Sequence, residues 1–174
     1  MIENINRVNQ KGKKITIIGL KKSGYAAALL GNKLGAKIFV SELNKDEEII
    51  NNKNALIDMG IDCELGKHTD RIYDADYWVV SPGVPGDINI IKEAKKIKIP
   101  IIGEIEFASK LTELPIIAVT GSNGKSTTVS IIHDMLKTEV LSPLLAGNIG
   151  IPLSKIVLEE IKNPAIGNIL ILEI

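Results

Sequence analysis

Cysteine is almost missing from this sequence of 174 residues, and neither sign of charge prevails in it. Cys63 is the only cysteine, so an intramolecular disulfide is excluded and a reducing compartment is favoured. The 21 Lys and Arg residues balance 21 Asp and Glu residues. A balanced charge gives no electrostatic attraction to nucleic acid or anionic lipid, so we expect neither as a partner.

Long apolar runs and targeting signals are missing from the sequence as well. No apolar run approaches the roughly 20 residues that a membrane-spanning helix needs, and the N-terminus lacks the basic and apolar regions of a signal peptide. Apolar residues make up 45% of the chain and charged residues 24%, which is typical of a globular protein with a sizeable core. We therefore expect a cytoplasmic protein that does not insert into a membrane.

Short apolar runs alternate with helix-like stretches over residues 14–102. This alternation predicts an α/β fold with a mostly parallel sheet and helices on both faces. We predict strands at residues 14–18, 37–41, 77–81 and 100–102, and helices at about residues 23–34, 46–59 and 88–96. Ligands of such sheets bind beyond the carboxyl ends of the strands. The segments after Ile18, Ser41 and Ser81 are therefore candidate binding segments.

The first candidate segment, Gly19-Leu-Lys-Lys-Ser-Gly24, follows a strand and opens a helix, as a dinucleotide-binding loop does. Lys21 occupies the middle glycine position of that motif, where the backbone must approach a pyrophosphate. Glu42, at the end of the second strand, has two interpretations: it accepts a ribose or sugar hydroxyl, or it is a solvated loop carboxylate. On its own residues, this unit is as compatible with a plain scaffold as with a nucleotide site.

A second unit is predicted after a connecting helix near residues 104–114, so we divide the chain into domains at 1–103 and 104–174. The pattern of the second unit predicts strands at residues 115–119 and 169–173, and helices at about residues 125–137 and 152–161. A parallel sheet normally has more strands than these. We therefore expect the second domain to be incomplete at residue 174.

The strongest motif is a glycine-containing loop between a buried strand and a helix. Its residues are Gly121, Ser122, Asn123, Gly124, Lys125, Ser126 and Thr127. Gly121 and Gly124 let backbone N–H groups come close to a phosphate, and the helix that follows adds its dipole. Lys125 supplies a positive charge for the β- and γ-phosphates, and the hydroxyl of Ser126 is placed to ligate Mg²⁺. The alternative is an ordinary strand-to-helix turn that happens to contain Gly and Lys.

Several motifs, in this order along the chain, resemble those of the Mur ligases, a family that builds the peptidoglycan precursor. They are Ile17-Ile-Gly-Leu20 with Gly24, Ser81-Pro-Gly-Val84, Gly103-Glu-Ile-Glu106, the run from Ala118 to Thr128, Gly147-Asn-Ile-Gly-Ile-Pro152 and Leu170-Ile-Leu-Glu173. Val119 stands where the usual phosphate loop has its first glycine, and this shortened loop is itself a feature of the family. Asn123 favours the D-glutamate-adding members over the alanine-adding ones.

The resemblance implies a Rossmann-like first domain that binds a UDP-sugar, followed by the first part of a P-loop ATPase-like central domain. The residues implied around the uridine and diphosphate are Leu20, Glu42, Ser81 and Gly83. Asn148 is implied to reach the substrate or its metal shell, and Glu173 to hold Mg²⁺ opposite Ser126. Lys21 and Lys22 replace small residues that are common in the family, which changes the expected contact with phosphate.

The implied reaction uses ATP and Mg²⁺ to join D-glutamate to UDP-N-acetylmuramoyl-L-alanine through an acyl phosphate, with Lys125 as a catalytic residue. A carboxylated lysine, a metal-binding histidine and a C-terminal domain of the family fall beyond residue 174. We therefore expect residues 1–174 alone to be inactive, and the full-length protein to be monomeric. Two alternatives stay open: a nucleotide-binding module without catalysis, and another Mur or folylpolyglutamate-type ligase. The Ser81-Pro-Gly turn counts against the folate enzymes.

Overall fold

The structure, a computed structural model, describes residues 5–147 and 150–174. Contacts divide the chain into two compact units, of which the first ends at Leu111 and the second begins at Thr112.

The first unit contains a parallel sheet with helices packed against it. Its strands are β1 (Lys14–Ile18), β2 (Lys37–Glu42), β3 (Asp62–Leu65), β4 (Tyr77–Val80) and β5 (Ile101–Gly103). Its helices are α1 (Lys22–Lys33), α2 (Glu47–Asp58), α3 (Asn89–Lys96) and α4 (Glu104–Ser109), with short 3-10 turns at Val8–Gln10 and Asp70–Tyr73. The strand order is β3-β2-β1-β4-β5, and every pair is parallel.

The middle of this sheet is buried on both faces. Ile15, Ile17 and Ile18 of β1 have almost no exposed surface, and neither has Trp78 of β4. Continuous apolar runs of this kind are typical of parallel strands that helices cover on both sides. The strand order reverses between β1 and β4, and ligands of such sheets bind at the carboxyl ends near that reversal.

Helix α4 belongs to the first unit, although the sequence suggested a division after Gly103. Phe107 and Leu111 are buried, and the Phe107 ring lies 6.3 Å from the ring of Tyr77 on β4. The Arg7 side chain donates to the carbonyl of Leu111 at 2.6 Å, which ties the end of the unit to its beginning. Apolar packing therefore places residues 104–111 with the first sheet.

The second unit, within residues 112–147 and 150–174, has a smaller parallel sheet. Its strands are β6 (Ile116–Val119), β7 (Pro143–Gly147) and β8 (Ile169–Glu173), and its helices are α5 (Lys125–Leu136) and α6 (Leu153–Lys162). The strand order is β6-β8-β7. Glu160 of α6 is buried and accepts from the hydroxyl of Thr112 and from the N–H of Glu113. The carboxylate thus fixes the start of the unit.

The predicted α/β class with parallel sheets is confirmed. The strands at 14–18 and 169–173 have the predicted bounds, and the other predicted elements shift by a few residues at their ends. Two strands, β3 and β7, were not predicted. Within the described residues, no helix is both long enough and apolar enough to span a membrane.

Candidate functional site

The loop that joins β6 to α5 leaves its backbone open on one side. Gly121 and Gly124 have φ angles of +153° and +75°, a region that favours glycine. A Cβ atom built on Gly124 would meet nothing within 4 Å, and one on Gly121 would meet only the carbonyl oxygen of Asn123 at 4.0 Å. The backbone conformation therefore requires these glycines, and the space around them is free for a ligand.

Helix α5 starts inside this loop with unsatisfied donors. Gly124 is its N-cap, and glycine has no side chain with which to cap the helix. The first helical bond runs from the N–H of Thr128 to the carbonyl of Gly124, at 2.9 Å, so the three N–H groups before it have no acceptor within the helix. Such N–H groups and the helix dipole favour an anion. The remaining loop side chains are exposed: Ser122, Asn123 and Thr127.

Lys125 folds across the loop. Its Nζ lies 2.7 Å from the carbonyl oxygen of Gly121. Among the residues that the structure describes, no carboxylate forms an ion pair with Lys125. Its charge is therefore not neutralised within these residues, and it lies beside the backbone of the loop.

Ser126 and Glu173, the two residues implied to hold Mg²⁺, lie close to each other. The Ser126 hydroxyl oxygen is 3.4 Å from each carboxylate oxygen of Glu173. Glu173 is the last residue of β8, and its partners in the sheet are Val119 and Gly147. The carboxyl ends of all three strands therefore meet at this carboxylate.

Gly147 allows this close approach of the strands. A Cβ on Gly147 would lie 2.2 Å from the carbonyl oxygen of Glu173, so only glycine fits. Glu173 is 5% exposed, and no Lys, Arg or His pairs with it in the described part of the chain. A buried carboxylate is normally paired with a cation or coordinates a metal. A bound cation would therefore balance its charge.

The donor set at this point is a hydroxyl and a carboxylate. Both are oxygen ligands of the kind that Mg²⁺ prefers, and Mg²⁺ commonly completes its shell with waters and phosphate oxygens. No cluster of three or more His, Cys, Asp or Glu side chains that could hold a metal occurs in residues 5–147 and 150–174. Asn148, the other residue implied near this shell, lies outside the described residues.

In the first unit, the loop after β1 is tightly packed. A Cβ on Gly24 would lie 1.9 Å from the carbonyl oxygen of Gly19, and one on Gly19 would lie 2.8 Å from the hydroxyl oxygen of Ser81. Ser81 is buried and donates its hydroxyl to the Gly19 carbonyl at 3.5 Å. The glycines thus let the loop after β1 approach the end of β4 at the reversal of strand order.

Glu42 holds the backbone of two loops. Its Oε2 accepts from the N–H of Leu20 at 3.0 Å, and its Oε1 accepts from the N–H of Asn44 at 2.7 Å. Glu42 is 8% exposed, so its interpretation as a solvated loop carboxylate is wrong. Asn52 donates to the carbonyl of Leu20 at 3.0 Å, which fixes the same peptide segment from the other side.

The other residues implied around the UDP-sugar differ in exposure. The Leu20 side chain is fully buried, so it supports the loop from the core and offers no surface to a ligand. Gly83 is exposed, and a Cβ there would meet nothing within 4 Å. Lys21 and Lys22 are exposed at the start of α1. The carboxyl ends of the strands in the first sheet therefore combine a buried, packed loop with exposed lysine side chains.

The sequence interpretation missed a group of polar side chains at the ends of β2 and β3. Ser41 lies 2.6 Å from Oε1 of Glu64 and 2.7 Å from Nδ1 of His68. Thr69 donates to Glu64 through both its N–H and its hydroxyl, at 3.0 and 2.6 Å. Glu64, His68 and Thr69 lie 23 to 28 positions from Ser41 in the sequence, at the end of β3 and in the loop that follows it. No local sequence pattern therefore indicated their contact.

Comparison with known proteins places the first unit in a defined family. A sequence model described as the MurD N-terminal domain matches residues 14–90. A UDP-N-acetylmuramoylalanine–D-glutamate ligase from Streptococcus pyogenes is 43% identical over 168 residues, which are 95% of this chain and 36% of that protein. The enzyme of the same name from Koribacter versatilis is 42% identical over 143 residues, 82% of this chain and 32% of that protein.

Solved structures with this fold include two ligases. A pseudomurein peptide ligase type C from Methanothermus fervidus matches with a TM-score of 0.54 and 25% identity, over 94% of this chain and 33% of that one. The UDP-N-acetylmuramate–alanine ligase of Thermotoga maritima matches with a TM-score of 0.51 and 27% identity, over 75% of this chain and 30% of that one.

The chain spans about a third of the length of the curated relatives it matches. Within that span, the match with the D-glutamate ligases runs through both units, because it covers 95% of the residues. The chain therefore belongs to the Mur ligase family, and its residues 14–90 match the N-terminal domain of the MurD branch.

Proposed function

We propose that this chain provides the UDP-sugar-binding and ATP-binding parts of a ligase that joins D-glutamate to UDP-N-acetylmuramoyl-L-alanine. In this proposal the first unit holds the UDP-sugar, and the second unit holds the phosphates of ATP. The relatives that are 42 to 43% identical carry this activity in their names. The alternative is a nucleotide-binding module without catalysis.

The observation that carries the proposal is the pairing of Ser126 with Glu173 beside the open loop. An anion site and a cation site lie next to each other there: free N–H groups and Lys125 on one side, a buried carboxylate and a hydroxyl on the other. This combination suits ATP with Mg²⁺: the N–H groups and Lys125 would hold the phosphates, and Ser126 and Glu173 would hold the metal. Bound Mg²⁺ would supply charge neutralisation at the phosphates.

The residues of the chain have separate roles in this proposal. The N–H groups at the start of α5 orient the phosphates, and Lys125 stabilises the negative charge of the γ-phosphoryl group as it moves to the substrate carboxylate. The carboxylate needs this activation because its oxygen is a poor leaving group. Transfer of the γ-phosphoryl group would release ADP and leave an acyl phosphate. The amine of D-glutamate would then attack its carbonyl carbon, forming the amide and releasing phosphate.

Binding of ATP to the 174-residue chain tests the second unit directly. We expect the wild type to bind ATP with Mg²⁺, and Lys125→Gln to bind it about tenfold or more weakly, because a charge-assisted contact to phosphate is lost. Lys137→Gln is the matched control, since Lys137 is exposed and directly follows α5. Titration calorimetry provides the dissociation constants.

Mg²⁺ dependence separates the roles of the loop and the carboxylate. We expect Glu173→Gln to abolish the gain in ATP affinity that Mg²⁺ gives the wild type, while metal-free ATP binds both proteins alike. A wild-type chain that binds no ATP, or a Lys125→Gln chain that binds as well as the wild type, would remove the basis for the proposal. ATP binding that is unaffected by Glu173→Gln would favour the non-catalytic module.

A further inference from the structure

The polar group at the ends of β2 and β3 is a relay of hydrogen bonds whose direction is fixed by chemistry. The Glu64 carboxylate, when ionised, can only accept. It accepts from the Ser41 hydroxyl at 2.6 Å and from the Thr69 hydroxyl at 2.6 Å, which are distances typical of hydroxyl–carboxylate bonds. Burial alone would raise the pKa of Glu64, but these hydrogen bonds and nearby His68 bring it below its usual value. Glu64 is therefore ionised at neutral pH.

The relay determines which nitrogen of His68 carries the proton. Ser41 has one hydroxyl proton and donates it to Glu64, so its oxygen can only accept from Nδ1 of His68, 2.7 Å away. Nδ1 is then protonated, and Nε2 of the neutral ring bears a lone pair. Burial lowers the pKa of His68, although Glu64 and Glu42 oppose this, so the ring is neutral at pH 7.

The lone pair on Nε2 is free within the described part of the chain. His68 forms its one hydrogen bond there through Nδ1, and Nε2 is not a fully buried atom that lacks a hydrogen-bond partner. The ring itself is only partly exposed. His68 therefore presents a fixed hydrogen-bond acceptor to solvent at the carboxyl ends of β2 and β3.

We propose that His68 determines ligand specificity in the first unit, with Nε2 accepting a hydrogen bond from the uridine moiety of the bound UDP-sugar. The inference rests on the proposed function of that unit. Ligands bind along this edge of a parallel sheet, and neighbouring Glu42 already uses both oxygens for backbone N–H groups. Uridine offers suitable donors in the imide N–H of its base and in its ribose hydroxyls.

A purely structural role for His68 is the competing explanation, because the ring also links its loop to β2 through Ser41. Two substitutions separate the roles. In His68→Asn the side-chain amide N–H can replace Nδ1 and keep the bond to Ser41, but nothing replaces Nε2. In His68→Gln the longer side chain can place an amide oxygen near the position of Nε2.

Binding of UDP to the 174-residue chain, measured by calorimetry, is the decisive experiment. We expect His68→Asn to bind UDP about tenfold more weakly than the wild type and to keep its melting temperature, because one buried hydrogen bond to the ligand is lost. We expect His68→Gln to lie within about threefold of the wild type. Equal affinity of the wild type and His68→Asn would overturn the inference.

Two UDP analogues identify the donor. Methylation of the base nitrogen N3 removes the imide donor, and 2′-deoxy-UDP removes a ribose hydroxyl. We expect one analogue to bind more weakly than UDP to the wild type, and this penalty to vanish in His68→Asn. Penalties that persist unchanged in His68→Asn would show that His68 contacts neither donor, and would overturn the inference.

Nitrogen NMR of the imidazole gives a signature that a structural tether would not produce. We expect the free protein to show protonated Nδ1 and unprotonated Nε2, and the Nε2 resonance to shift when UDP binds. A ring protonated at Nε2 would overturn the relay.

The binding experiment also separates this inference from the proposed function. A wild type that binds no UDP would refute both, whereas UDP binding that His68→Asn leaves unchanged would refute the inference alone.

Discussion

The two units each contain a loop that follows a buried strand and opens a helix, and the space around the glycines differs between the two loops. In the first unit, neighbouring atoms leave no room for a Cβ on Gly19 or Gly24, and Gly19 also has a φ of +98°. In the second unit, Gly121 and Gly124 have free space and are needed for their positive φ angles. One loop is filled by the protein itself, and the other leaves its donors to a ligand.

Similar glycine patterns in the two loops do not predict phosphate binding equally well. Both loops place glycines between a strand and a helix, so the pattern alone predicts a phosphate site in each. In the first loop the peptide of Leu20 is held by Glu42 and Asn52, and within residues 5–111 no lysine Nζ donates to this loop as Lys125 does to its own. The second loop has open N–H groups, a lysine and a buried carboxylate. The chemistry around the glycines therefore separates the two.

Gly24→Ala should have the largest effect. Alanine inside a helix is normally more stable than glycine by about 0.5–1 kcal/mol, but Gly24 lies in the first turn of α1 and its Cβ would lie 1.9 Å from the carbonyl oxygen of Gly19. We expect a loss of about 3 kcal/mol in the free energy of unfolding, because backbone atoms must move. Urea unfolding followed by the fluorescence of Trp78, the only tryptophan and a core residue of the first unit, measures it.

Gly83→Ala is the matched control for that substitution. Gly83 has free space and no positive φ, so we expect a change within about 0.5 kcal/mol. If Gly24→Ala proved as harmless as Gly83→Ala, the account of the first loop as a tightly packed one would be wrong.

Glu42→Gln should have the next largest effect. The amide would place an N–H₂ group against one of the two backbone N–H groups that the carboxylate now accepts. We expect a loss of about 2 kcal/mol, since a buried donor is left without an acceptor. The control is Glu93→Gln, because Glu93 forms an exposed ion pair with Lys96 that contributes less than about 1 kcal/mol. The same fluorescence measurement applies, and equal losses in the two variants would contradict the buttressing role of Glu42.

Much of this fold could be predicted from apolar runs, and the exceptions have physical reasons. β3 is an edge strand with the sequence Asp-Cys-Glu-Leu, which has neither a continuous apolar run nor a clear alternation. β7 begins with Pro143, and proline is tolerated in a sheet chiefly at edges and strand starts. Neither strand carries the periodic signal from which strands are predicted.

The part of the site that is contiguous in sequence could be predicted, whereas contacts between residues distant in sequence could not. The loop from Gly121 to Thr127 is contiguous, so its chemistry could be predicted from residue types. The double role of Glu42 and the relay from Thr69 to His68 depend on contacts between separate strands and loops. Parallel strands bring their carboxyl ends together, but the partner of each side chain there depends on register, which the sequence does not display.

Gly124→Ala should have a smaller effect on stability than Gly24→Ala or Glu42→Gln. The Cβ has free space, so the cost is that of alanine at a φ of +75°, about 1 kcal/mol. Hydrogen exchange of α5 measures this cost, while the fluorescence of Trp78 should not change. We expect the same substitution to weaken ATP binding by more than this stability cost, because the loop N–H groups move out of position. A chain with unchanged ATP affinity would contradict the open-loop account.

The smallest expected effect is a loss of stability in the first unit on mild acidification. Burial lowers the pKa of His68 in the folded chain, so the unfolded chain binds more protons and stability falls as the pH drops below about 6.5. The lowered pKa of Glu64 acts in the same direction as the pH drops below about 4.5.

We expect His68→Asn to remove the decline in stability below pH 6.5 and to leave the decline below pH 4.5. Urea midpoints measured by Trp78 fluorescence from pH 7.5 to 4 test this. Because the ring is partly exposed, the first decline should be modest. An equal decline above pH 5 in the wild type and in His68→Asn would mean that another group titrates there, and the relay would lose its support from stability.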